Sequence, residues 1–310
     1  MADDVIPPSF RHVIAGRAPD RVGGIDGDSW LARLPRLLEE LYSRWELRPD
    51  GAPWHGENAL VVPVLRDDGP AALKVTWPHV EARHEHLALR AWGGRGAVRL
   101  LAAHPSDDAL LLERLDGSRD LTSVSILEAC EEIGLLFGEL DRPPLPQIDA
   151  VPLKAERWRQ QLAAHTPLVP RRLADQALSL LDDLLASAPP SRLVHEDLHD
   201  MNVLAPLDPS RGRWLAIDPK PVAGEWAYAV APIVWNRAEV AAKAHSLRTH
   251  VRLRAQVVAD VAGLDPDRVQ AWTLVRLTLN AVWAADHAPA SDDFRGRMIA
   301  LAKAFADPLD

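Results

Sequence analysis

The stretch RLVHEDLHDMNVL, residues 192–204, is compatible with two different chemistries. The pattern H-E-x-x-H, which begins at His195 and ends at His199, is typical of zinc proteases. The same letters contain H-x-D-x-x-x-x-N, with Asp197 and Asn202 at the spacing of a phosphotransferase catalytic loop. The flanking residues and the rest of the chain must therefore decide between zinc chemistry and phosphate chemistry.

The flanking residues favour the phosphate interpretation. A zinc protease needs both histidines on one face of a helix, with a third ligand downstream. Here RLV precedes His195 and NVL begins at Asn202, and both flanks are apolar and contain β-branched residues. This composition predicts a strand, a loop and a second strand. A zinc hydrolase is therefore the minor hypothesis.

The phosphate interpretation needs further groups in a fixed order, and the first two precede the loop. Lys74 lies in AALKV, which reads as a strand, where an ammonium can bind the α- and β-phosphate oxygens of a nucleotide. A helical acid should follow and orient this lysine, and Glu85 or, one turn earlier, Glu81 is available. The alternative is that Lys74 is a solvated strand lysine and Glu85 an exposed helix acid.

The remaining groups lie in the loop and beyond it. Asp197 is placed to accept a proton from a substrate hydroxyl, and Asn202, five residues later, to bind a metal ion. Asp218 ends the next predicted strand in LAIDPKP, where its carboxylate can hold magnesium. Alternatively, Asp218 only forms a turn before Pro219. Each group alone is ambiguous, but the ordered set is hard to obtain by chance.

Composition narrows the class of protein. A chain of 310 residues predicts one large domain or two of ordinary size. The net charge of −9 argues against a general binder of nucleic acid or acidic membranes and fits a cationic ligand. Cys130 is the single cysteine, so neither an intramolecular disulfide nor a cysteine-based zinc cluster is expected. No signal peptide or membrane-length apolar run is recognisable, which predicts a cytoplasmic protein.

The order of predicted elements indicates an α+β fold with two lobes. Up to Leu115 the chain reads as a leading helix at SWLARLPRLLEELYSRWEL and then short strands, including ALVVPVLR and AALKVTW, with a second helix inserted at PHVEARHEHLALRAW. Beyond it most segments have helical periodicity. We therefore predict a small β-rich lobe over residues 1–115 and a larger helical lobe over residues 116–310.

Several segments together resemble a known family. LVHEDLHDMNVL, WLAIDPKP, GEWAYAVAPIVWNR and RAWGGRGAVRLL are similar to segments of the aminoglycoside/hydroxyurea phosphotransferases, a group that includes streptomycin 6-kinases. The resemblance runs from about Trp54 to Arg237, and more loosely through the helical C-terminus. It implies a protein-kinase-like fold and transfer of the ATP γ-phosphate to a hydroxyl of the substrate.

By position, the resemblance implies that Lys74 binds phosphate, that Glu85 supports it, and that Asp197 is the catalytic base. It also implies that Asn202 and Asp218 bind magnesium. It adds LLERL, residues 111–115, as a hinge in which the backbone of Glu113 and Leu115 faces adenine. It implies that His195 packs the loop, and it assigns no clear role to His199.

Two residues depart from the family pattern. Glu196 stands where the family usually has glycine, and glycine suits unusual backbone angles, so a strained or reshaped loop is expected there. Ala229 stands where the family usually has an aspartate that tethers the catalytic loop, which leaves the anchoring of the loop unexplained. In addition, the phosphate-binding loop is expected to be rich in glycine, but the segment HGENAL contains only one glycine, Gly56.

The leading hypothesis is a cytoplasmic O-phosphotransferase that uses ATP and Mg²⁺ to modify a small-molecule hydroxyl. The resemblance points to an aminoglycoside or aminocyclitol antibiotic such as streptomycin, and hence to antibiotic resistance. Asp286, Asp292 and Asp293 are candidates for binding such a cation, because AADHAPASDD contains no lysine or arginine. The alternatives are a kinase for a neutral sugar or a hydroxyurea-like molecule, and a kinase-like protein that binds ligands with little turnover.

Overall fold

The computed structural model describes residues 5–287 and 289–306. The chain forms two compact units, which we call unit 1 (residues 1–116 and 205–220) and unit 2 (residues 117–204 and 221–310). The outermost residues of the two predicted lobes, 1–4 and 307–310, lie outside the described residues. Within the part of the chain that is described, no helix is long and apolar enough to cross a membrane.

Unit 1 is built on an antiparallel sheet in which β1, β3, β4, β6 and β5 are neighbours in that order, and β2 also pairs with β3. The predicted strands ALVVPVLR and AALKVTW are confirmed as β3 and β4, which form a hairpin that closes between Arg66 and Gly69. The strands are β1 (Arg48–Pro49), β2 (Trp54–His55), β3 (Ala59–Arg66), β4 (Gly69–Thr76), β5 (Leu100–His104) and β6 (Ala109–Glu113).

Three helices accompany this sheet: α1 (Pro8–Ile14), α2 (Gly27–Arg44) and α3 (Glu85–Trp92). The leucines of α2 recur at three- and four-residue intervals and are buried in one core with the apolar residues of β3 and β4. Helix α3 ends at Gly93, whose φ of 60° suits a residue without a side chain. The short β10 (Leu215–Ala216) also belongs to unit 1, where Ala216 bridges to Ala97.

Unit 2 is mainly helical. Its helices are α4 (Ile126–Leu140), α5 (Val151–Ala163), α6 (Arg171–Ala186), α7 (Ala231–Trp235), α8 (Ala238–Ala241), α9 (Leu247–Ala262), α10 (Pro266–Asp286) and α11 (Asp292–Phe305). Helix α10 packs against several of the others, including α6 and α11. The long buried face of α10 places it at the centre of the core of unit 2.

Residues 192–204 form a strand, a loop and the start of a second strand, as predicted. β8 (Arg192–His195) pairs antiparallel with β11 (Pro221–Gly224), and His195 is opposite Pro221. A loop and one turn of 3-10 helix follow, and β9 (Val203–Pro206) begins directly after Asn202. The chain passes from one unit to the other within β9, and also within β7 (Leu115–Asp120).

Candidate active site

Unit 1 brings Lys74 and Glu85 together. Lys74 lies on β4, where its neighbours across the ladder are Val61 of β3 and Leu110 of β6. Glu85 is the first residue of α3, and its two carboxylate oxygens each accept a hydrogen bond of 2.7 Å from Lys74 Nζ. Both side chains are buried, so this ion pair is largely shielded from water.

The alternative partner for the lysine is occupied elsewhere. Glu81 lies in a short 3-10 turn before α3, and its carboxylate is 3.1 Å from Lys220 Nζ. Its side chain is half exposed, whereas that of Glu85 is buried. The structure therefore selects Glu85 over Glu81 as the acid that holds Lys74.

Asp218 completes the cluster in unit 1. It follows β10, and its Oδ1 atom accepts a hydrogen bond of 2.5 Å from Lys74 Nζ. Its backbone has a φ of 53°, in the left-handed region that aspartate tolerates better than most residues. About half of the side chain is exposed, so the carboxylate bonds the buried lysine while part of it faces solvent.

Burial and neighbouring charges have opposite effects on the pKa of Lys74 and on that of Glu85. Burial alone would lower the pKa of Lys74, but the charges of Asp218 and Glu85 outweigh burial and raise it above its ordinary value. Burial raises the pKa of Glu85 to about 7, because the attraction to Lys74 only partly offsets the loss of water. Two carboxylates thus share one ammonium, and Glu85, which is buried, is protonated more easily than an ordinary glutamate.

The predicted hinge lies at the end of β6. The N–H of Glu113 donates to the Arg99 carbonyl at 2.9 Å, and the Glu113 carboxylate accepts from Arg211 Nε at 3.2 Å. Arg211 also donates to the Gly94 carbonyl at 2.7 Å. The side chain and the N–H of Glu113 therefore both form hydrogen bonds to other groups of unit 1. Leu115, the other predicted hinge residue, is buried at the start of β7.

Unit 2 carries Asp197 and Asn202 on one loop. The N–H of Asp197 donates to His195 Nδ1 at 3.2 Å, and the Asp197 carbonyl accepts from Asn202 Nδ2 at 2.9 Å. Both bonds use the backbone of Asp197, so they fix the place from which its carboxylate projects. The Asn202 bond uses the NH₂ group, which leaves the amide oxygen as the group suited to a metal ion.

The zinc-protease interpretation of this stretch is wrong, because neither histidine lies on a helix. His195 ends β8, and His199 precedes a single turn of 3-10 helix over Asp200–Asn202. Each ring accepts a backbone N–H through Nδ1, since Met201 N–H donates to His199 at 3.3 Å as Asp197 does to His195. The two histidines therefore stabilise the loop, which confirms the packing role expected of His195.

Glu196 is accommodated in the loop without the backbone strain expected of a residue in place of glycine. Its φ is not positive, and its buried carboxylate accepts two hydrogen bonds from Lys154 Nζ, at 2.8 and 2.9 Å. The Tyr228 hydroxyl donates to the same carboxylate at 2.7 Å, and Arg276 donates to the Glu196 carbonyl at 2.9 Å. The spacing of the motif gave no indication of these three partners, which are 32 to 80 residues away along the chain.

A second buried acid of the loop, Asp200, was also missed by sequence reasoning. Its side chain is fully buried, and Arg237 Nη1 lies 3.7 Å from Oδ1. Burial raises the pKa of Asp200, although Arg237 and Arg254 oppose this effect. Arg254 is itself buried and donates to the Asn236 carbonyl at 2.8 Å. The side chain of Arg237, which ends the segment WNR, thus lies close to the loop residue Asp200.

The three acids proposed for a cationic substrate lie at the junction of two helices. Asp286 is the last residue of α10, and Asp292 and Asp293 are the first two of α11. All three are exposed, but Asp292 is already bound to Arg295 at 2.6 Å. Trp283 lies one turn before Asp286 and is 49% exposed. The junction therefore combines acidic groups with a half-exposed tryptophan, whose ring is stacked on His287 with centroids 4.4 Å apart.

The chemistry of Asn202 and Asp218 fits magnesium. Mg²⁺ prefers oxygen ligands, keeps several waters, and is usually bound by one or two protein groups together with substrate phosphates. The amide oxygen of Asn202 and the half-exposed carboxylate of Asp218 are ligands of this type. Each residue is also fixed within its own unit, Asn202 by Asp197 and Asp218 by Lys74.

Solved structures that are similar to this chain include a kinase family protein and an aminoglycoside phosphotransferase. A choline/ethanolamine kinase family protein from Mesorhizobium loti has a TM-score of 0.60 at 14% identity and covers 88% of this chain and 95% of its own. The aminoglycoside phosphotransferase APH(4)-Ia, in a ternary complex with ADP and hygromycin B, has a TM-score of 0.55 at 16% identity and covers 87% and 99%. The predicted protein-kinase-like fold is confirmed.

Sequence comparison gives the family. Residues 44–288 match the aminoglycoside/hydroxyurea antibiotic resistance kinases. Streptomycin 6-kinase of Streptomyces glaucescens is 39% identical, with 88% of this chain and 90% of the relative covered. Hydroxyurea phosphotransferase of Kitasatospora aureofaciens is 38% identical, with 86% and 77% covered. The resemblance noted from the motifs is confirmed, and the chain belongs to the aminoglycoside/hydroxyurea antibiotic resistance kinase family.

Proposed function

We propose that this protein transfers the γ-phosphate of ATP to a hydroxyl of an aminocyclitol antibiotic such as streptomycin, with Mg²⁺ as cofactor. The observation that carries the proposal is the cluster in which buried Lys74 is held by Glu85 and by half-exposed Asp218. A lysine held in this way is suited to phosphate oxygens, and a carboxylate beside it is suited to a metal ion bound to those phosphates. Names of relatives that act on streptomycin support the choice of acceptor.

On the nucleotide side, Lys74 binds and orients phosphate. Its ammonium carries a full positive charge, because the surrounding carboxylates raise its pKa. Glu85 fixes the direction of that ammonium through two equal hydrogen bonds. The backbone of Glu113 and Leu115 is proposed to face adenine. Asn202 and Asp218 are the proposed ligands of Mg²⁺, which neutralises charge on the phosphates when it is bound.

On the acceptor side, Asp197 orients the attacking hydroxyl and accepts its proton. Phosphoryl transfer asks little covalent chemistry of the protein, so holding the reactants in line is most of the task. The Asp197 backbone is fixed on one side by His195 and on the other by Asn202. We infer that the loop is built to keep the Asp197 carboxylate in one place.

The acceptor is proposed to be cationic. Exposed Asp286 and Asp293 lie near exposed Trp283 at the junction of α10 and α11, a combination suited to a charged, ring-containing molecule. Asp292 contributes less to this charge, because it is paired with Arg295. A neutral sugar or a hydroxyurea-like molecule is the competing acceptor, and a relative with hydroxyurea in its name keeps that hypothesis open.

A panel of acceptors tests the proposal. ADP release is measured with ATP, Mg²⁺ and, in turn, streptomycin, a neutral sugar and hydroxyurea, with Asp197→Ala as the inactive control. We expect streptomycin to give the highest rate, and the variant to give none with any acceptor. A higher rate with hydroxyurea or the sugar would reject the cationic acceptor. Nucleotide binding without ADP release in any reaction would instead identify a binding protein.

A further inference from the structure

Glu196 departs from the family pattern and lies next to the proposed catalytic residue, Asp197. We propose that Glu196 is a positioning residue, which holds the catalytic loop against the helices of unit 2 and so fixes Asp197. This inference rests on the proposed function, since it assigns a role in the same reaction.

The contacts of Glu196 come from three separate elements. Lys154 of α5 and Tyr228 of the 3-10 turn before α7 bind its carboxylate, at 2.8 and 2.7 Å. Arg276 of α10 donates from Nη1 to the Glu196 carbonyl at 2.9 Å and to the Tyr228 carbonyl at 3.0 Å. The side chain and the main chain of one loop residue are thus bound at the same time, which restrains translation and rotation of the loop.

Two of the groups that hold Glu196, Tyr228 and Arg276, are themselves packed against aromatic rings. The Tyr228 ring stacks on Trp158 with centroids 5.9 Å apart and meets the edge of Trp272 at 5.2 Å. The Arg276 guanidinium lies over the Tyr228 ring at 4.3 Å and over Trp235 at 5.0 Å. Aromatic and cation–π packing of this kind leaves little freedom to either donor. A shift of the loop would therefore break its hydrogen bonds to Tyr228 and Arg276, because the packing of these two side chains opposes their moving with the loop.

Charge strengthens these bonds. Burial alone would raise the pKa of Glu196, but Lys154 and Arg276 outweigh burial and hold that pKa below its ordinary value. The carboxylate is consequently ionised at neutral pH, and hydrogen bonds between charged groups are shorter and stronger than neutral ones. Three donor bonds occupy this buried carboxylate, so it acts on the reaction through the loop and not through the substrate.

The same contacts bear on the missing aspartate. Position 229 is a fully buried alanine, whose methyl group can make no hydrogen bond. Its neighbour Tyr228 instead donates to Glu196, so the acid lies on the loop and the donors lie on the helical core. The loop is therefore anchored through Glu196 and its donors, without a polar side chain at position 229.

Two variants of unit 2, Glu196→Gln and Arg252→Gln, test this role. Arg252 of α9 is part-buried and donates from Nε to the Ala304 carbonyl of α11 at 2.7 Å, and it lies outside the loop. Each change removes one charge and a hydrogen bond made by that charge, so both should lower the thermal unfolding midpoint. We expect Glu196→Gln alone to reduce kcat by about 10- to 100-fold, the usual effect of a small misplacement, with an unchanged KM for ATP.

Amide hydrogen exchange separates this inference from the proposed function, because it needs no turnover. We expect faster exchange in the peptide covering residues 196–204 of Glu196→Gln, and exchange like that of the wild type in the same peptide of Arg252→Gln. Unchanged exchange in Glu196→Gln, or an equal increase in both variants, would overturn the positioning role. An inactive wild type would reject the proposed function, while the exchange comparison would still decide the role of Glu196.

Discussion

The ammonium of Lys74 lies 2.7 Å from both carboxylate oxygens of Glu85 and 2.5 Å from Asp218, so three charges meet within unit 1. Lys74 and Glu85 are buried, and Asp218 is the member that reaches solvent. The cluster therefore consists of a buried pair and one solvent-accessible carboxylate.

Replacing Glu85 should weaken phosphate binding. Glu85→Gln keeps the shape of the side chain but removes one of the two charges that orient Lys74. We expect the affinity for ATP to fall by about tenfold or more, because removing one partner of a buried charged pair leaves the other poorly compensated. Calorimetric titration with a non-hydrolysable nucleotide measures this. Glu81→Gln is the control, since its half-exposed pair with Lys220 should contribute little. Equal losses in both variants would contradict the assignment of Glu85.

The same residue predicts a dependence of stability on pH. The pKa of Glu85 is about 7 in the folded protein, against an ordinary value of 4.5. Between these values the folded state binds more protons than the unfolded state, so the contribution of Glu85 to the free energy of unfolding falls as pH rises from 4.5 to 7. We therefore expect the stability of Glu85→Gln to improve relative to wild type across this window. Chemical denaturation at a series of pH values tests this, and parallel curves for the two proteins would refute it.

Replacing Asp197 should remove turnover and spare nucleotide binding. The residue is proposed to act on the acceptor hydroxyl, and general-base or positioning roles are typically worth about 10²–10⁴ in rate. Single-turnover kinetics together with nucleotide titration of Asp197→Ala separate the two effects. Near-normal turnover in the purified variant would defeat the assignment.

Replacing the proposed magnesium ligands should change the metal dependence of nucleotide binding. Asp218→Asn and Asn202→Ala each remove an oxygen ligand of the kind Mg²⁺ prefers. We expect both variants to need more Mg²⁺ for half-maximal nucleotide affinity. Ser123→Ala, in an exposed 3-10 turn of unit 2, is the control. The ligand assignment fails if the Mg²⁺ titrations of both variants match that of the wild type.

Salt should distinguish a cationic acceptor from a neutral one. Above about 0.1 M salt the Debye length falls below roughly 10 Å, which weakens attraction to exposed acids. For a cationic acceptor we expect KM to rise with salt, and Asp286→Asn to raise it by about two- to fivefold at low salt, the size of one exposed ion pair. Glu139→Gln, an exposed acid on α4, serves as the control. A KM that moves with neither salt nor Asp286→Asn would favour a neutral acceptor.

Much of the chemistry could be predicted because it depends on local spacing. Asp197 and Asn202 are five residues apart on one loop, so their proximity could be predicted from their spacing in the sequence. Lys74 and Glu85 are only eleven residues apart, and the predicted strand and helix bring them within reach of each other. The strands that flank the loop were predictable from their β-branched residues.

What could not be predicted depends on contacts between distant parts of the chain. The sequence predicted that Glu196 would strain the loop, because nothing in it indicated that Lys154, Tyr228 and Arg276 bind this residue. Arg237 beneath Asp200 belongs to the same class, since its position depends on how WNR packs in unit 2. The choice between Glu85 and Glu81 likewise required the partner of Glu81 to be known.

Mass spectrometry of streptomycin after incubation with the protein, ATP and Mg²⁺ detects the proposed phosphorylation itself. We expect that streptomycin gains one phosphoryl group, that an equal amount of ADP is formed, and that Asp197→Ala abolishes both. Unmodified streptomycin in the presence of a wild-type protein that binds ATP and Mg²⁺ would contradict this expectation.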